Sequence, residues 1–257
     1  GRTSLAVAVT DNSKIVAPIN ETSNVCILPF NDIERLEAEM DTTVCAVIIE
    51  GIQGVAGVII PTIPFLKKAE ELCKKYGAVL ILDEVQSGYG RTGKFFAHQH
   101  AEIQPDIITV AKGMGNGFPI GGVLIAPEIK AKKEQLGTTF GGNYLACAAA
   151  IAVLEVIDQE QLIANAYTMG NYLTTQLQSL PYIKEIRAKG LMVGIELDQP
   201  CATIRKELLF THHIFTGSAS NKNTIRILPS LAVTKAELDV FISALKQTLV
   251  SNNKEIA

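Results

Sequence analysis

Residues 63–84, IPFLKKAEELCKKYGAVLILDE, join a helix pattern to a strand pattern. In the first part, apolar side chains recur at helical spacing with lysines and glutamates between them, namely Phe65, Leu66, Ala69 and Leu72. Gly77 suits the position just after a helix C-terminus, where a left-handed backbone is common. The run Ala78–Glu84 is almost wholly apolar, which is typical of a buried strand. The stretch therefore predicts a helix followed by a strand.

Similar apolar runs lie on both sides of this stretch. They are Val44–Glu50, Asp106–Ala111 and Gly121–Ala126. A strand on each side of a helix predicts a strand–helix–strand unit, and so an α/β fold with a mixed, mostly parallel sheet. We expect this large domain to span residues 1–158.

The C-terminal third has a different pattern. Residues 143–180 read as helical, and we expect residues 159–180 to form a bridging helix out of the large domain. A small α+β domain is predicted over residues 181–257. Its expected strands are Ile183–Arg187, Leu191–Leu197 and Thr224–Leu228, and its expected helices are Ile204–His212 and Lys235–Val250.

Composition and charge narrow the classes of function. The net charge of -3 provides no broad basic surface, so neither nucleic acid nor an anionic membrane is an expected partner. The five cysteines are odd in number and scattered, which argues against disulfides and a zinc site and favours the cytoplasm. No stretch is long and apolar enough for a membrane span. His98 and His100 alternate as in an exposed turn, and no metal site is predicted.

The chain begins at Gly1, without a methionine, in what reads as the middle of a loop. We therefore expect that its N-terminal part is missing.

Two strand ends carry residues that suit a pyridine cofactor. Asp83 ends one predicted strand and Lys112 follows the next, and ligands of open α/β sheets bind outside the carboxyl ends of strands. Alone, Lys112 is more readily a surface lysine and Asp83 a turn acceptor. Together they supply an amine for a Schiff base and a carboxylate that keeps a ring nitrogen protonated. An ammonium buried beside a core also loses its proton more easily.

Two glycine-rich segments are candidate phosphate sites. The run after Lys112 matches neither the dinucleotide fingerprint nor the phosphate-loop pattern, so nucleotide binding is not expected. Thr138 and Thr139 precede glycines and a helix that starts near Asn143. They can donate hydroxyls to a phosphate or simply belong to a helix cap, and both alternatives stay open.

Three long motifs resemble those of one enzyme family. They are LILDEVQSGYGRTGKFFAHQH (80–100), PDIITVAKGMGNGFPIGGVL (105–124) and GTTFGGNYLACAAA (137–150). In this order they resemble the class III aminotransferases, most closely the acetylornithine or succinylornithine aminotransferases. The resemblance implies the PLP-transferase fold of type I and pyridoxal 5'-phosphate as cofactor.

The resemblance implies a role for each matching residue. Lys112 would bind the cofactor covalently and move the substrate proton, Asp83 would pair with the ring nitrogen, and Gln86 would lie near the phenolic oxygen. Thr139, next to Thr138, would reach the phosphate of the neighbouring subunit's cofactor, which implies a homodimer with shared sites. Glu50 would lie close to the cofactor.

Two arginines are implied substrate contacts. Arg2 resembles an arginine that holds a substrate carboxylate, and Arg226 one that receives a carboxylate of 2-oxoglutarate. Without the resemblance, both would be read as surface or ion-pair arginines. Relatives carry a glutamate at the position of Val55, and in ornithine-type enzymes it masks the arginine that matches Arg226. We therefore expect Arg226 to be unmasked and the amino donor to be an N-acylated ornithine.

The expected reaction moves the δ-amino group of N-acetylornithine or N-succinylornithine to 2-oxoglutarate, in arginine biosynthesis. Ornithine, 4-aminobutyrate and diamine aminotransferases are the alternatives within the family. The alternative from another class is a truncated, non-catalytic remnant.

Overall fold

A computed structural model describes residues 3–135 and 137–254. Its strands are β1 (Ala46–Glu50), β2 (Val79–Asp83), β3 (Ile107–Val110), β4 (Gly122–Ile125), β5 (Ile183–Lys189), β6 (Met192–Leu197), β7 (Gly217–Ser218) and β8 (Thr224–Ile227). Its helices are α1 (Ser4–Ala8), α2 (Ile33–Glu39), α3 (Ile63–Tyr76), α4 (Tyr144–Gln159), α5 (Leu162–Leu177), α6 (Ala202–Phe210) and α7 (Lys235–Lys254). None of the described helices is both long and apolar enough to cross a membrane.

The first sheet has the strand order β1-β2-β3-β4. Strands β1, β2 and β3 run parallel, and β4 pairs antiparallel with β3. The predicted α/β fold with a mixed, mostly parallel sheet is confirmed. The register aligns the strand ends, because Glu50 pairs with Asp83, and Asp83 pairs with Thr109.

Helix α3 covers one face of this sheet. The Thr62 hydroxyl accepts from the Phe65 N–H at 3.3 Å and starts the helix, and Gly77 ends it with a φ of 74°. Its apolar stripe packs on a face that includes Leu80 and Leu82, which are at most 1% exposed. The local signals in residues 63–84 thus determined this unit correctly.

The opposite face of the first sheet is only partly covered. A row of isoleucines crosses it in register, namely Ile48, Ile81, Ile107 and Ile125. Ile48 is 46% exposed and Ile125 is 42% exposed. Side chains two residues apart on a strand share a face, so Glu50 and Asp83 lie on this less covered side.

The second sheet has the order β5-β6-β8-β7 and is antiparallel throughout. Helices α5, α6 and α7 pack on it around a closed apolar core, in which Leu173, Ile195 and Leu245 are fully buried. The predicted strands and helices of this region are present, with β7 as an unpredicted addition. The division into domains at residues 158 and 180 stays a prediction.

The region between the sheets is helical, as the sequence predicts. It holds two helices, α4 and α5, and the second begins at Leu162, three residues later than the start expected for the bridging helix. Gln161 between them has a φ of 51°, which a continuing helix does not allow. Its side-chain amide donates to the Asp158 carbonyl at 2.7 Å, which stabilises the break.

Candidate active site

Lys112 lies two residues beyond the end of β3. Its φ is 29°, in the left-handed region that residues with a side chain seldom adopt, and the preceding Ala111 has φ -162° and ψ -136°. The turn is held by the Asn116 N–H, which donates to the Lys112 carbonyl at 3.2 Å. Strained backbone of this kind persists where the surrounding structure imposes it, often at functional sites. Lys112 itself is exposed.

Lys112 opens onto a cleft of about 630 Å³. Gln86 and Arg226 also line this cleft, as do the apolar side chains Val153 and Ile157 of α4. The cleft therefore brings together a residue that follows β2, a residue that follows β3 and a residue of β8. A space of this size with apolar walls and a few polar groups is typical of a small-molecule site.

Asp83 ends β2 and is partly buried. Its Oδ1 accepts from the Val85 N–H at 2.9 Å, and its Oδ2 has no hydrogen bond to any residue that the structure describes. Asp83 is not among the residues that line the cleft. One carboxylate oxygen is therefore fixed by the turn and the other is available to a ligand donor.

Glu50 occupies the end of β1, next to Asp83. Its Oε2 accepts from the Gly54 N–H at 3.1 Å. Burial raises the pKa of Glu50 above its usual value and the charge of Asp83 adds to this, while the Gly54 hydrogen bond and Lys112 oppose it. The three predicted residues Glu50, Asp83 and Lys112 thus share one electrostatic environment.

Arg226 reaches the cleft from the second sheet. Its Nη1 donates to Gln86 Oε1 at 3.2 Å, and its Nε donates to the Ser218 carbonyl. Burial lowers the pKa of Arg226, and the nearby Arg205 also lowers it, while Glu50 raises it. Gln86 and Arg226, which are 140 residues apart in sequence, are therefore in direct contact.

The predicted threonines lie away from this contact network. Thr138 and Thr139 are both exposed and follow Leu136, which is outside the described residues. The N-cap of α4 is Asn143, whose side chain accepts from the Ala146 N–H at 2.9 Å, so neither threonine is this cap. Arg2 lies outside the described residues.

Glu84 is a buried carboxylate that the sequence analysis did not single out. It is 1% exposed and accepts from the Ser87 hydroxyl, from the Ala97 N–H at 3.0 Å and from the His98 N–H at 2.9 Å. Its Oε1 also lies 3.1 Å from His98 Nδ1, which must donate because a carboxylate only accepts. His98 is 8% exposed, so the prediction of an exposed turn is wrong for this histidine. The reason is that Glu84 draws residues 96–98 inward.

Arg91 lies in the loop that follows Gln86 and also lines the cleft. Its Nη1 donates to the carbonyls of Pro229 and Leu191, and the Leu191 N–H donates to the Arg91 carbonyl at 3.0 Å. Burial lowers the pKa of Arg91 to about 10. Arg91 therefore ties the loop that follows Gln86 to the second sheet, and Lys112 and Arg226 line the same cleft.

Within residues 3–135 and 137–254, no group of three or more histidine, cysteine, aspartate or glutamate side chains is arranged to bind a metal ion.

Comparison with known proteins identifies the family. The model of the family described as Aminotransferase class-III matches residues 1–249. The chain belongs to the class-III aminotransferase family. This confirms both the predicted family and the fold class that the three motifs implied.

Relatives of this class-III aminotransferase chain include two acetylornithine aminotransferases. It is 39% identical over 257 aligned residues to that of Mycolicibacterium smegmatis, an alignment that covers 97% of this chain and 65% of the relative. It is 40% identical over 260 aligned residues to that of Bacillus subtilis, which covers 98% and 67%. The chain thus spans about two thirds of the length of these relatives.

A solved structure is also similar. The crystal structure of the ornithine aminotransferase from Toxoplasma gondii gives a TM-score of 0.91 at 30% identity, covering 99% of this chain and 63% of that chain. Each of these proteins is a relative of this chain.

Proposed function

We propose that this protein is a pyridoxal-phosphate-dependent aminotransferase that transfers the δ-amino group of an N-acylated ornithine to 2-oxoglutarate. The observation that carries the proposal is the cleft in which Lys112 and Gln86 face Arg226, with Asp83 at the neighbouring strand end. A reactive amine, a carboxylate and a carboxylate-binding guanidinium are the groups that this reaction needs. The similarity to acetylornithine aminotransferases supports the choice of donor.

The side chains fit the cofactor in three respects. Lys112 provides an exposed amine at the mouth of the cleft. Asp83 Oδ2 can accept from a protonated ring nitrogen, because only Oδ1 is engaged by the Val85 N–H. Gln86 lines the same cleft and carries amide donors for a phenolic oxygen. When bound, pyridoxal phosphate supplies an aldehyde that captures amines and a ring that withdraws electrons from the substrate carbon.

Lys112 would act as the proton carrier. Its Nζ would hold the cofactor through the cofactor's aldehyde and, once released, would carry a proton between the substrate carbon that bears the amino group and the cofactor. The strained turn at Lys112 fixes the backbone from which the side chain reaches both positions.

Arg226 would bind a carboxylate of the oxo acid. A guanidinium presents paired donors that match the two carboxylate oxygens, and the partly apolar cleft strengthens that interaction. Arg226 sits on a strand of the second sheet, whose closed core keeps it in place. Arg2 is proposed for the second substrate carboxylate.

A second copy of the chain would complete the phosphate site through Thr138 and Thr139. Both hydroxyls are exposed. Large apolar side chains next to them are exposed as well, Phe140 at 80% and Tyr144 at 94%. Exposed apolar patches of this kind mark interaction surfaces, which supports a homodimer with shared sites. Since all five cysteines are free, we also place the protein in the cytoplasm.

The choice between an N-acylated ornithine and free ornithine rests on Val55. The Val55 carbonyl accepts from the Ser220 N–H at 2.8 Å, so residue 55 lies beside the segment that follows β7 and next to the region of Arg226. The valine side chain offers no charge to Arg226. Val55→Glu is expected to shift the preference from N-acetylornithine towards ornithine, and an unchanged ratio of kcat/KM for the two donors would remove the argument.

Borohydride reduction tests the cofactor assignment. The protein is incubated with pyridoxal phosphate, reduced and digested, and the labelled peptide is identified by mass spectrometry. We expect label on Lys112 in the wild type and in the Lys94→Ala control, which removes an exposed lysine from the loop after β2. Label on another lysine would contradict the mechanism. Absence of label with Lys112 intact would favour the non-catalytic alternative.

A further inference from the structure

Arg226 has an unusual set of partners for an arginine in a substrate cleft. Its donors go to the amide oxygen of Gln86 and to the carbonyl of Ser218, and no carboxylate lies within ion-pair distance among the residues that the structure describes. A partly buried guanidinium without a carboxylate is costly unless polar acceptors replace water. Gln86 is the side chain that provides such an acceptor.

The chemistry of the two groups fixes how Gln86 is oriented. A guanidinium can only donate, so the amide oxygen of Gln86 must face Arg226 and its NH₂ group must point elsewhere. The amide oxygen of Gln86 therefore accepts from Arg226, while its NH₂ group can donate to a ligand in the cleft. This couples the position of the guanidinium to whatever ligand the NH₂ group binds.

Gly54 provides an independent sign that the position of Gln86 is built into the fold. A Cβ atom at Gly54 would lie 1.8 Å from Gln86 Oε1 and 2.4 Å from its Cδ. A side chain at residue 54 would therefore require the Gln86 amide to leave the position in which it contacts Arg226. Val55 places no carboxylate next to Arg226. Gly54, one residue earlier, leaves the space that the Gln86 amide fills.

We propose that Gln86 is a neutral latch for Arg226, which holds the guanidinium in the cleft until a substrate carboxylate displaces the amide. Gln86 is in this view a specificity-determining residue, because it sets how strongly a carboxylate must compete for Arg226. The identity of the carboxylate as that of 2-oxoglutarate rests on the proposed function. The contact between Gln86 and Arg226 does not.

Two substitutions of similar size separate the latch from a merely structural role. Gln86→Glu keeps the shape and adds a charge that pairs with Arg226, so the affinity for glutarate is expected to fall about tenfold or more, and less so at high salt. Gln86→Met removes the acceptor that competes with the carboxylate, so the affinity for glutarate is expected to rise, and an unchanged affinity would contradict the latch. Calorimetric titration of glutarate measures both, without requiring turnover.

Chemical modification reads out the latch without any ligand. Phenylglyoxal reacts with accessible arginines, and peptide mapping gives the rate at Arg226 separately from that at Arg35, a surface arginine whose side chain is 54% exposed. We expect Arg226 to react several-fold faster in Gln86→Met and more slowly in Gln86→Glu, with Arg35 unchanged.

The outcomes separate the latch from the proposed function. Equal rates at Arg226 in the wild type and both variants would overturn the latch. If the modification rate at Arg226 changes with residue 86 and Arg226→Gln abolishes glutarate binding, both the latch and the proposed function are supported. If the modification rate changes with residue 86 but Arg226→Gln leaves glutarate affinity unchanged, the latch is supported and the carboxylate role of Arg226 is overturned.

Discussion

The two sheets differ in how completely they are covered. The second sheet packs on α5, α6 and α7 around fully buried side chains such as Leu173 and Ile195. The first sheet is covered by α3 on one face, whereas the row from Ile48 to Ile125 on the other face is partly exposed. Mostly parallel sheets are normally buried on both faces, while antiparallel sheets tolerate water on one.

The first sheet carries most of the candidate active site, whereas the second sheet lies in the largest buried core. Lys112, Asp83 and Glu50 lie at or just beyond the carboxyl ends of the strands in the incompletely covered sheet. Asp83 and Glu50 share its less covered face. The self-contained sheet contributes Arg226 from a rigid strand. We expect substitutions in the first sheet to change activity most and those in the second to change folding most.

The largest expected effect is a loss of activity that leaves folding intact. Lys112→Ala is expected to reduce the transamination rate by about a thousandfold or more, because a positioned acid–base group and the covalent attachment are both removed. Since Lys112 is exposed, the thermal unfolding curve is expected to stay in place. Lys94→Ala is the control and should retain activity. If Lys112→Ala also lowered the melting temperature so far that unfolding explained the lost activity, the prediction would be contradicted.

The same substitution in each sheet tests the difference in covering. Ile195→Ala in β6 is expected to cost about 3 kcal/mol of unfolding free energy, as for other fully buried aliphatic residues. Ile125→Ala in β4 is expected to cost less than about 1 kcal/mol, because its side chain is already 42% exposed. Urea unfolding of both variants gives the two values. Equal costs would mean that the isoleucine row is covered in solution.

Glu84 tests whether the first sheet also depends on a buried polar anchor. Glu84→Gln keeps the size but turns one acceptor oxygen into a donor that faces the N–H groups of residues 97 and 98 or the Ser87 hydroxyl. Leaving such groups unsatisfied is expected to cost about 2 kcal/mol. Ser87→Ala, which removes one donor and leaves the acceptor intact, should cost less in the same urea experiment. An unchanged free energy for Glu84→Gln would show that the anchor is dispensable.

The sequence predicted what depends on local patterns. Periodicity and strand geometry predict helix α3 with its caps and every strand except β7. They also predict that Asp83 and Lys112 lie at strand ends. The family resemblance assigned Gln86 and Arg226 to one site, and the structure places them in contact.

Other features depend on contacts that no local pattern encodes. The burial of His98 follows from a carboxylate 14 residues earlier, and the hydrogen bond from Arg91 to Pro229 spans 138 residues. The left-handed turn at Lys112 had no signal, because glycine is the residue that predicts such turns. The glycine at residue 54 could have been read as a site of close approach, which is what the position of Gln86 requires.

The smallest expected effect is a pH dependence of opposite sign in the two sheets. Burial raises the pKa of Glu50 in the folded state, so ionising Glu50 opposes folding. This loss of folding free energy is absent at pH values below the pKa of Glu50 in the unfolded chain. It grows as pH rises through the pKa of Glu50 in the folded protein. Glu50→Gln should therefore gain stability over the wild type between about pH 4 and pH 7.

In β6, hydrogen bonds from Arg187 and Lys184 lower the pKa of Glu196, so its contribution to stability is present at neutral pH and is lost as pH falls through the lowered folded pKa. Glu196→Gln should therefore lose stability relative to the wild type as pH rises towards the usual glutamate pKa of about 4.3, and the difference should stay constant above that pH. Urea unfolding at several pH values measures both differences, and slopes of the same sign would show that the two carboxylates occupy similar environments after all.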